Sequence, residues 1–290
     1  MDKIIATDLD GTLFYPKDTK EMICKPNLFF LQSFIDQGGE VILISGRSNE
    51  YCKRVIKKIG RPCSAVSYNG ACIYDGEKLI MTNKIPNDEA ISIIDEITQQ
   101  YKVPGIFLMT ENGLSIHLKC KSKLVRWLYK LYYKSTGVYA EDLMPLESDY
   151  ERELKTGNIF KIMIYFGLGK KNRKRASQAN SVLRNVYDKV ECNWSTNVIE
   201  ITAKDCAKAK SLEILLKYKG KTADNLYVVG DSGNDISMFK AFPKHSFCMG
   251  HAPQNVKKHS KYIIDKFEDL SRYIWKIVDK FTRNSKIYKS

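Results

Sequence analysis

Two short apolar segments, far apart in the sequence, each run directly into a turn that carries carboxylates. Residues 3–7 lead into Asp8-Leu9-Asp10-Gly11-Thr12, and residues 226–229 lead into Gly230-Asp231-Ser232-Gly233-Asn234-Asp235. Runs this brief and this uniformly apolar predict strands covered on both faces, as in a parallel sheet layered by helices. Gly11 supplies a turn that a strand interior would avoid. A third run, residues 40–44, ends at Ser45-Gly46-Arg47, and a short strand at 65–67 leads into Tyr68-Asn69-Gly70-Ala71. Between them the pattern predicts helices over 26–36, opened by Pro26 and closed by Gly38-Gly39, and over 49–59, stopped at Gly60. Strand and helix in alternation give an α/β core with a parallel sheet.

From about Pro86 the rhythm changes. Asn87 is read as the cap of a helix through Gln100, and strands at 105–110 and 114–118 are joined at Asn112-Gly113, a strong hairpin signal. A basic amphipathic helix is expected over 119–134, an acidic irregular stretch over 141–153, a strand over 158–166, a helix from Lys170, and strands at 188–194 and 197–202. This is a small antiparallel α+β module inserted into the parallel one. From Ala207 the first pattern resumes with a helix to Lys219, the strand 226–229, further short strands at 246–249 and 261–264, and a closing amphipathic helix over 267–282.

A length of 290 residues fits two packed bodies, and 43% hydrophobic with 11% aromatic residues excludes disorder. The net charge of +14 would favour polyanions if it lay on one surface. It is instead graded: residues 1–82 hold 11 basic and 10 acidic side chains, 83–198 hold 18 and 13, and 199–290 hold 18 and 10. A nucleic-acid partner is therefore disfavoured. The basic run Lys170 to Arg175 sits at a helix start, where it is expected to face water. The eight Cys are scattered without a CxxC pair, which reads as reduced thiols. No signal peptide and no run of ~20 apolar residues is present, so the expectation is a cytoplasmic protein with no membrane partner, a monomer or weak oligomer.

In an open parallel sheet, ligands bind beyond the carboxyl ends of the strands. One Asp- or Gly-rich turn after a strand is ordinary turn chemistry. Three of them, at Asp8/Asp10, Ser45/Gly46 and Asp231/Asn234/Asp235, predict a shared crevice. Crowded carboxylates repel unless a cation neutralises them, and hard oxygen ligands suit Mg2+. Carboxylates beside a hard cation, with hydroxyl, amide and Lys donors, are what phosphoryl transfer requires, so a phosphate ester is the expected substrate.

These residues resemble the four motifs of the haloacid dehalogenase-like (HAD) hydrolases: DxDGT at 8–12, Ser45-Gly46-Arg47, a Lys ahead of the last motif, and GDxxND at 230–235. The spacing, the Asn69-Gly70-Ala71 segment and Met249-Gly250 followed by Val256-Lys257 look like the Cof-type, subfamily IIB phosphatases. The resemblance implies a Rossmann-like three-layer core (1–82 and 199–290) and an inserted α+β cap of type C2B (83–198). It implies Asp8 as the nucleophile that forms an aspartyl-phosphate, and Asp10 as the acid and base. Mg2+ would be held by the Asp8 carboxylate, the main-chain carbonyl of Asp10 and Asp231, with Asp235 in support. Leu9 and Gly46, through their amides, with Ser45, Lys208 and Asn234, would bind phosphate, and Arg47 and Asn69 would bind substrate. Lys204, Lys208 and Lys210 all compete for the third motif; family register from Glu200-Ile201 selects Lys208. His251 stands where relatives often carry Asn. The implied function is a Mg2+-dependent phosphatase acting on small phosphorylated metabolites, sugar phosphates first. The alternatives are a phosphosugar mutase or other phosphotransferase and, from another class, a nucleic-acid-binding or regulatory protein.

Overall fold

The structure is a computed structural model and describes residues 2–17, 20–118, 137–144 and 146–275. Two sheets organise it. The larger has eight strands: β1 (Ile4–Thr7), β2 (Glu40–Ile44), β3 (Ser64–Ser67), β4 (Cys72–Asp75), β5 (Lys78–Thr82), β12 (Leu226–Gly230), β13 (Ser246–Met249) and β14 (Tyr262–Ile264). Their order is β14-β13-β12-β1-β2-β3-β4-β5, parallel from β14 to β3. The smaller sheet has order β10-β11-β9-β6-β7-β8, built from β6 (Gly105–Thr110), β7 (Gly113–Leu118), β8 (Leu143–Met144), β9 (Ile159–Tyr165), β10 (Val190–Ser195) and β11 (Val198–Ala203).

Alternation along the parallel strands explains the three layers. Ile5, Val41, Leu43, Tyr227 and Val229 face one side with Phe30, Leu31 and Phe34 of α1 (Lys25–Asp36) and Val55 and Ile59 of α2 (Asn49–Ile59). Ile4, Ala6, Ile42, Ile44 and Val228 face the other, against later helices. Each aliphatic side chain buried this way contributes about 1.5–3 kcal/mol. Helix α2 illustrates local specification. The Ser48 hydroxyl accepts from the Tyr51 amide at 3.1 Å, Glu50 lies in the first turn, Lys57 and Lys58 in the last, and Gly60 closes it in the left-handed region.

In the inserted module, α3 (Asn87–Tyr101), α4 (Glu147–Thr156) and α5 (Lys170–Val186) accompany the smaller sheet. The chain returns to the core through α6 (Lys208–Tyr218), whose Leu212, Leu215 and Leu216 pack under the parallel strands, followed after β12 by α7 (Ile236–Ala241).

Several expectations are corrected here. The stretch 141–153 is not irregular: it contains β8 and α4, whose high charge hides a stripe in which Tyr150 and Glu153 are buried. Residues 72–82 form the antiparallel hairpin β4–β5 at the sheet edge, turning at Gly76-Glu77, so the core sheet is not purely parallel. Strand β11 pairs with β9 and β10, so the smaller sheet runs to Ala203. Asn87 is the first residue of α3, not its cap. Of the segment 267–282, Phe267–Leu270 is a 3-10 turn and Ser271–Ile274 a short helix. The rest of that segment lies outside the described residues, as does the basic segment 119–134. Lys170, Lys171, Arg173 and Lys174 are exposed at the start of α5.

Candidate active site

Strand β1 lies at the centre of the parallel sheet, between β2 and β12, so the turns that follow these three strands meet at one edge. Asp8 continues the ladder, its amide donating to the Val229 carbonyl at 3.0 Å, and the residue is only 5% exposed. Lys208, at the start of α6, is 1% exposed and donates to Asp8 Oδ1 at 2.5 Å and to Asp235 Oδ1 at 2.7 Å. The other oxygen of Asp235 accepts from the amides of Asp231 and Ser232 at 3.0 and 2.9 Å, which locks the GDSGND turn. Thr12 donates to Asp231 at 3.1 Å, tying the two carboxylate turns together. Close approach demands glycine between them: Gly11 has φ +77°, and a Cβ there would stand 2.4 Å from Asp231 Oδ2.

Asp8, Asp231 and Asp235 offer oxygens that all lie within 4.8 Å of one another. Burial pushes the Asp8 carboxyl well above its ordinary range, Lys208 opposing and Asp235 and Asp231 adding repulsion. Burial, then Asp235, raises Asp231 as well. Burial alone would lower the Lys208 ammonium, but Asp235 and Asp8 outweigh it and drive it upward. Three carboxylates against one ammonium leave net negative charge in a dry place, and an all-oxygen donor set of this kind fits a hard divalent cation.

Asp10 is placed differently. Its side chain stands outside the three-carboxylate group, and Arg47 donates to both of its oxygens, at 2.6 and 2.7 Å. The ligand expected from Asp10 is its main-chain carbonyl; its carboxylate lines the cavity beside Arg47. Arg47 also donates to the Tyr139 carbonyl at 2.9 Å and lies over the Tyr51 ring. Ser45, 2% exposed, accepts from the Arg47 amide at 3.2 Å; Leu9 is buried at the start of the first turn. Asn69 donates to Glu200 at 3.0 Å and accepts from Asn234 at 3.2 Å. Of the competing lysines, Lys210 pairs with Asp205 and Lys204 is exposed, away from Asp8. His251 stacks on Tyr15 and stands 3.8 Å from Asp231.

A cavity of about 990 Å3 joins Asp8, Asp10, Ser45, Gly46, Arg47, Asn69 and Asn234 to the inner face of the smaller sheet. The sequence model of the haloacid dehalogenase-like hydrolases matches residues 5–271, which takes in every one of these turns. The chain belongs to this family. A Mycoplasma pneumoniae protein provisionally named a phosphatase is 27% identical over 268 residues, 88% of this chain and 89% of its own. The pyridoxal phosphate phosphatase YbhA of Escherichia coli is 22% identical over 269 residues, 90% and 93% of the two chains. Among solved structures, the HAD subclass IIB sugar phosphatase BT4131 superposes with a TM-score of 0.71 at 18% identity, covering 94% of this chain and 99% of that one. At that identity the likeness is one of fold.

Sequence reasoning passed over three charged residues of this HAD hydrolase's cavity. Lys161, 4% exposed, comes from the middle of β9 and pairs with Glu200 of β11 at 2.9 Å. A Cβ on Gly46 would stand 3.3 Å from its Nζ, which places the ammonium beside the Ser45-Gly46 turn. Burial would raise the Glu200 carboxyl, yet Lys161 and Asn69 hold it below its ordinary value. The signal was present: each is a lone charge inside an otherwise apolar strand, where an unpaired charge is costly. Glu141 was missed too. It accepts from the Ser48 hydroxyl at 2.5 Å and anchors the segment 137–141 to the core, together with Arg54, which donates to the Ala140 carbonyl at 2.6 Å.

Proposed function

We propose that this HAD hydrolase is a Mg2+-dependent phosphatase of small phosphorylated metabolites, working through an aspartyl-phosphate on Asp8, with the inserted module as its cap. The observation that carries the reading is the position of Asp8: buried, at the end of the central strand, against Lys208 and within reach of Asp231 and Asp235. The phosphatase names borne by relatives that span most of this chain support it.

Asp8, Asp231 and the main chain of Asp10, with Asp235 in support, would hold Mg2+, which would supply positive charge against the carboxylates and the phosphoryl oxygens. Asp8 attacks phosphorus, the ester P–O bond breaks, and the leaving oxygen takes a proton from Asp10. To deliver it, Asp10 first leaves its fork with Arg47 and takes a proton from solvent on its exposed carboxyl, then bonds the leaving oxygen. Asp10 then takes a proton from the attacking water, and phosphate leaves as the acyl-phosphate bond is cut. Ser45, the amides of Leu9 and Gly46, Lys208 and Asn234 receive the phosphoryl oxygens, where preplaced donors stabilise charge as it develops. Arg47 and Asn69 meet the substrate at the cavity wall. No helix among the described residues is long and apolar enough to cross a membrane, and their seven cysteines are free thiols, in keeping with a reducing cytoplasm.

The test is phosphate release from p-nitrophenyl phosphate in Mg2+. Asp8→Asn and Asp10→Asn each abolish turnover while the circular dichroism spectrum is kept. Near-native turnover by Asp8→Asn would sink the covalent route. Appearance of an isomerised sugar phosphate without free phosphate would replace hydrolysis by phosphotransfer.

A further inference from the structure

The wall of the cavity opposite the carboxylates is the inner face of the inserted sheet, and its polarity is divided. Register sets the neighbours. Met109 stands opposite both Leu114 and Lys161, Met163 opposite Phe107 and Glu200, and Val198 opposite Tyr165, so all of these side chains share one face. The two charged members, Lys161 and Glu200, bond to each other and lie toward Asn69 and Gly46, at the reacting end. Beyond them the lining is Phe107, Met109, Leu114, Met163 and Val198, with the ring of Tyr165. Among the described residues, the further charged side chain that the inserted segment brings to this cavity is Glu141, which is held by Ser48 of the core; the neighbouring strand β10 places Glu191, Asn193 and Ser195 on the same sheet face, where they line the adjoining pocket.

We infer that the module selects phosphate esters whose alcohol carries a flat, apolar or heteroaromatic ring, in preference to polyol sugars. The inference rests on the phosphatase reading and names its substrate class. A sugar ring placed on the apolar part of this wall, over Phe107, Met109, Leu114 and Met163, would lose water from several hydroxyls without gaining partners there, which disfavours it. A planar ring loses little water, and two methionine thioethers with Phe107 give it polarizable contacts. With about 990 Å3, the cavity has room for such a ring beyond the phosphoryl group. Lys161 and Glu200 remain for a polar substituent near the ester oxygen.

The experiment compares kcat/KM for benzyl phosphate and pyridoxine 5′-phosphate with that for glucose 6-phosphate and ribitol 5-phosphate. All four are esters of primary alcohols, so their leaving groups differ little in reactivity. Acetyl phosphate, whose leaving group is too short to reach the wall, reports the reaction itself. The ring esters are expected to be preferred by on the order of 10- to 100-fold, the range hydrophobic pockets deliver. Met163→Asn reduces that preference at least tenfold through KM, and Val198→Asn on the neighbouring strand reads the same effect if the first variant does not fold. Equal or better turnover of the polyol esters overturns the inference, as does a preference that survives both substitutions. If acetyl phosphate is not hydrolysed, the phosphatase reading fails separately. The preference is then read from Kd values of the same four esters for the Asp8→Asn chain, where ring esters binding no tighter than polyols overturns it.

Discussion

Replacing Lys208 by Met tests the electrostatic logic of the site, because the substitution keeps the length and volume of the side chain and removes only the ammonium. In the native chain that ammonium lies 2.5 Å from Asp8 and 2.7 Å from Asp235, at 1% exposure. Removing one partner from a buried ion pair costs about 3–5 kcal/mol, since the remaining charge is stranded. At about 2–4 °C per kcal/mol, the fall in Tm without divalent metal is roughly 6–20 °C. Mg2+ replaces part of the missing positive charge, so added Mg2+ raises the Tm of Lys208→Met more than that of the native chain. Turnover responds separately: loss of one preplaced donor to the phosphoryl oxygens lowers kcat by about 10²–10³-fold, and Mg2+ does not restore it. Thermal melts by circular dichroism in EDTA and in Mg2+, with phosphate release in parallel, read all three quantities. A variant that melts like the native chain in EDTA, or gains no more from Mg2+ than the native chain does, refutes the argument.

Gly11→Ala sets a Cβ against Asp231 at a left-handed backbone position, and should cost about 1–3 kcal/mol of stability while raising the Mg2+ concentration needed for half-maximal turnover; unchanged Mg2+ titration would contradict it. Glu200 is held below its ordinary 4.5, so its ionised form stabilises the fold above that pH, and the benefit is lost as pH falls through the lowered value. Glu200→Gln is accordingly less stable than the native chain at pH 7, and the gap closes toward pH 3; a gap that widens in acid reverses the assignment. EDTA silences turnover and Mg2+ restores it, whereas Ca2+ inhibits, because its larger and looser coordination spoils the in-line arrangement; metal-independent hydrolysis by the purified chain would remove the metal from the mechanism.

The core strands were legible because each is a short, wholly apolar run ended by a turn of special chemistry, as at Ile4–Thr7 before Asp8 and Leu226–Gly230 before Asp231. The hairpin β4–β5 was not legible although Gly76 lies in its two-residue turn, because its edge strand exposes Lys78 and Leu79 together and shows no alternation of buried and exposed positions. Helix α4 was hidden by its charge. The residues that follow strands β1, β2 and β12 could be gathered into one crevice from the rule for open sheets. Lys161 and Glu200 could not be placed there from the same rule, because what brings them over Gly46 is the docking of one sheet against another, a relation between bodies that no local pattern encodes. The pairing of Arg47 with Asp10 is similar in kind: both residues were marked, but their mutual bond depends on side-chain direction.

The central position of β1 also governs the order in which this enzyme is made. Asp8 leaves the ribosome early, yet Lys208 follows it by 200 residues and the ladder partner β12 later still. At about 5–20 residues per second, synthesis of that interval takes roughly 10–40 s. Throughout it, one edge of Ile4–Thr7 has no strand to bind, and the carboxylate that defines the chemistry has no counter-charge. The inserted module, by contrast, closes its own sheet from residues that are all synthesised before α6. The nascent chain therefore holds every strand of the smaller sheet before the pair of Asp8 with Lys208 can form, and the carboxylates of the two turns meet only when the final quarter of the polypeptide is made.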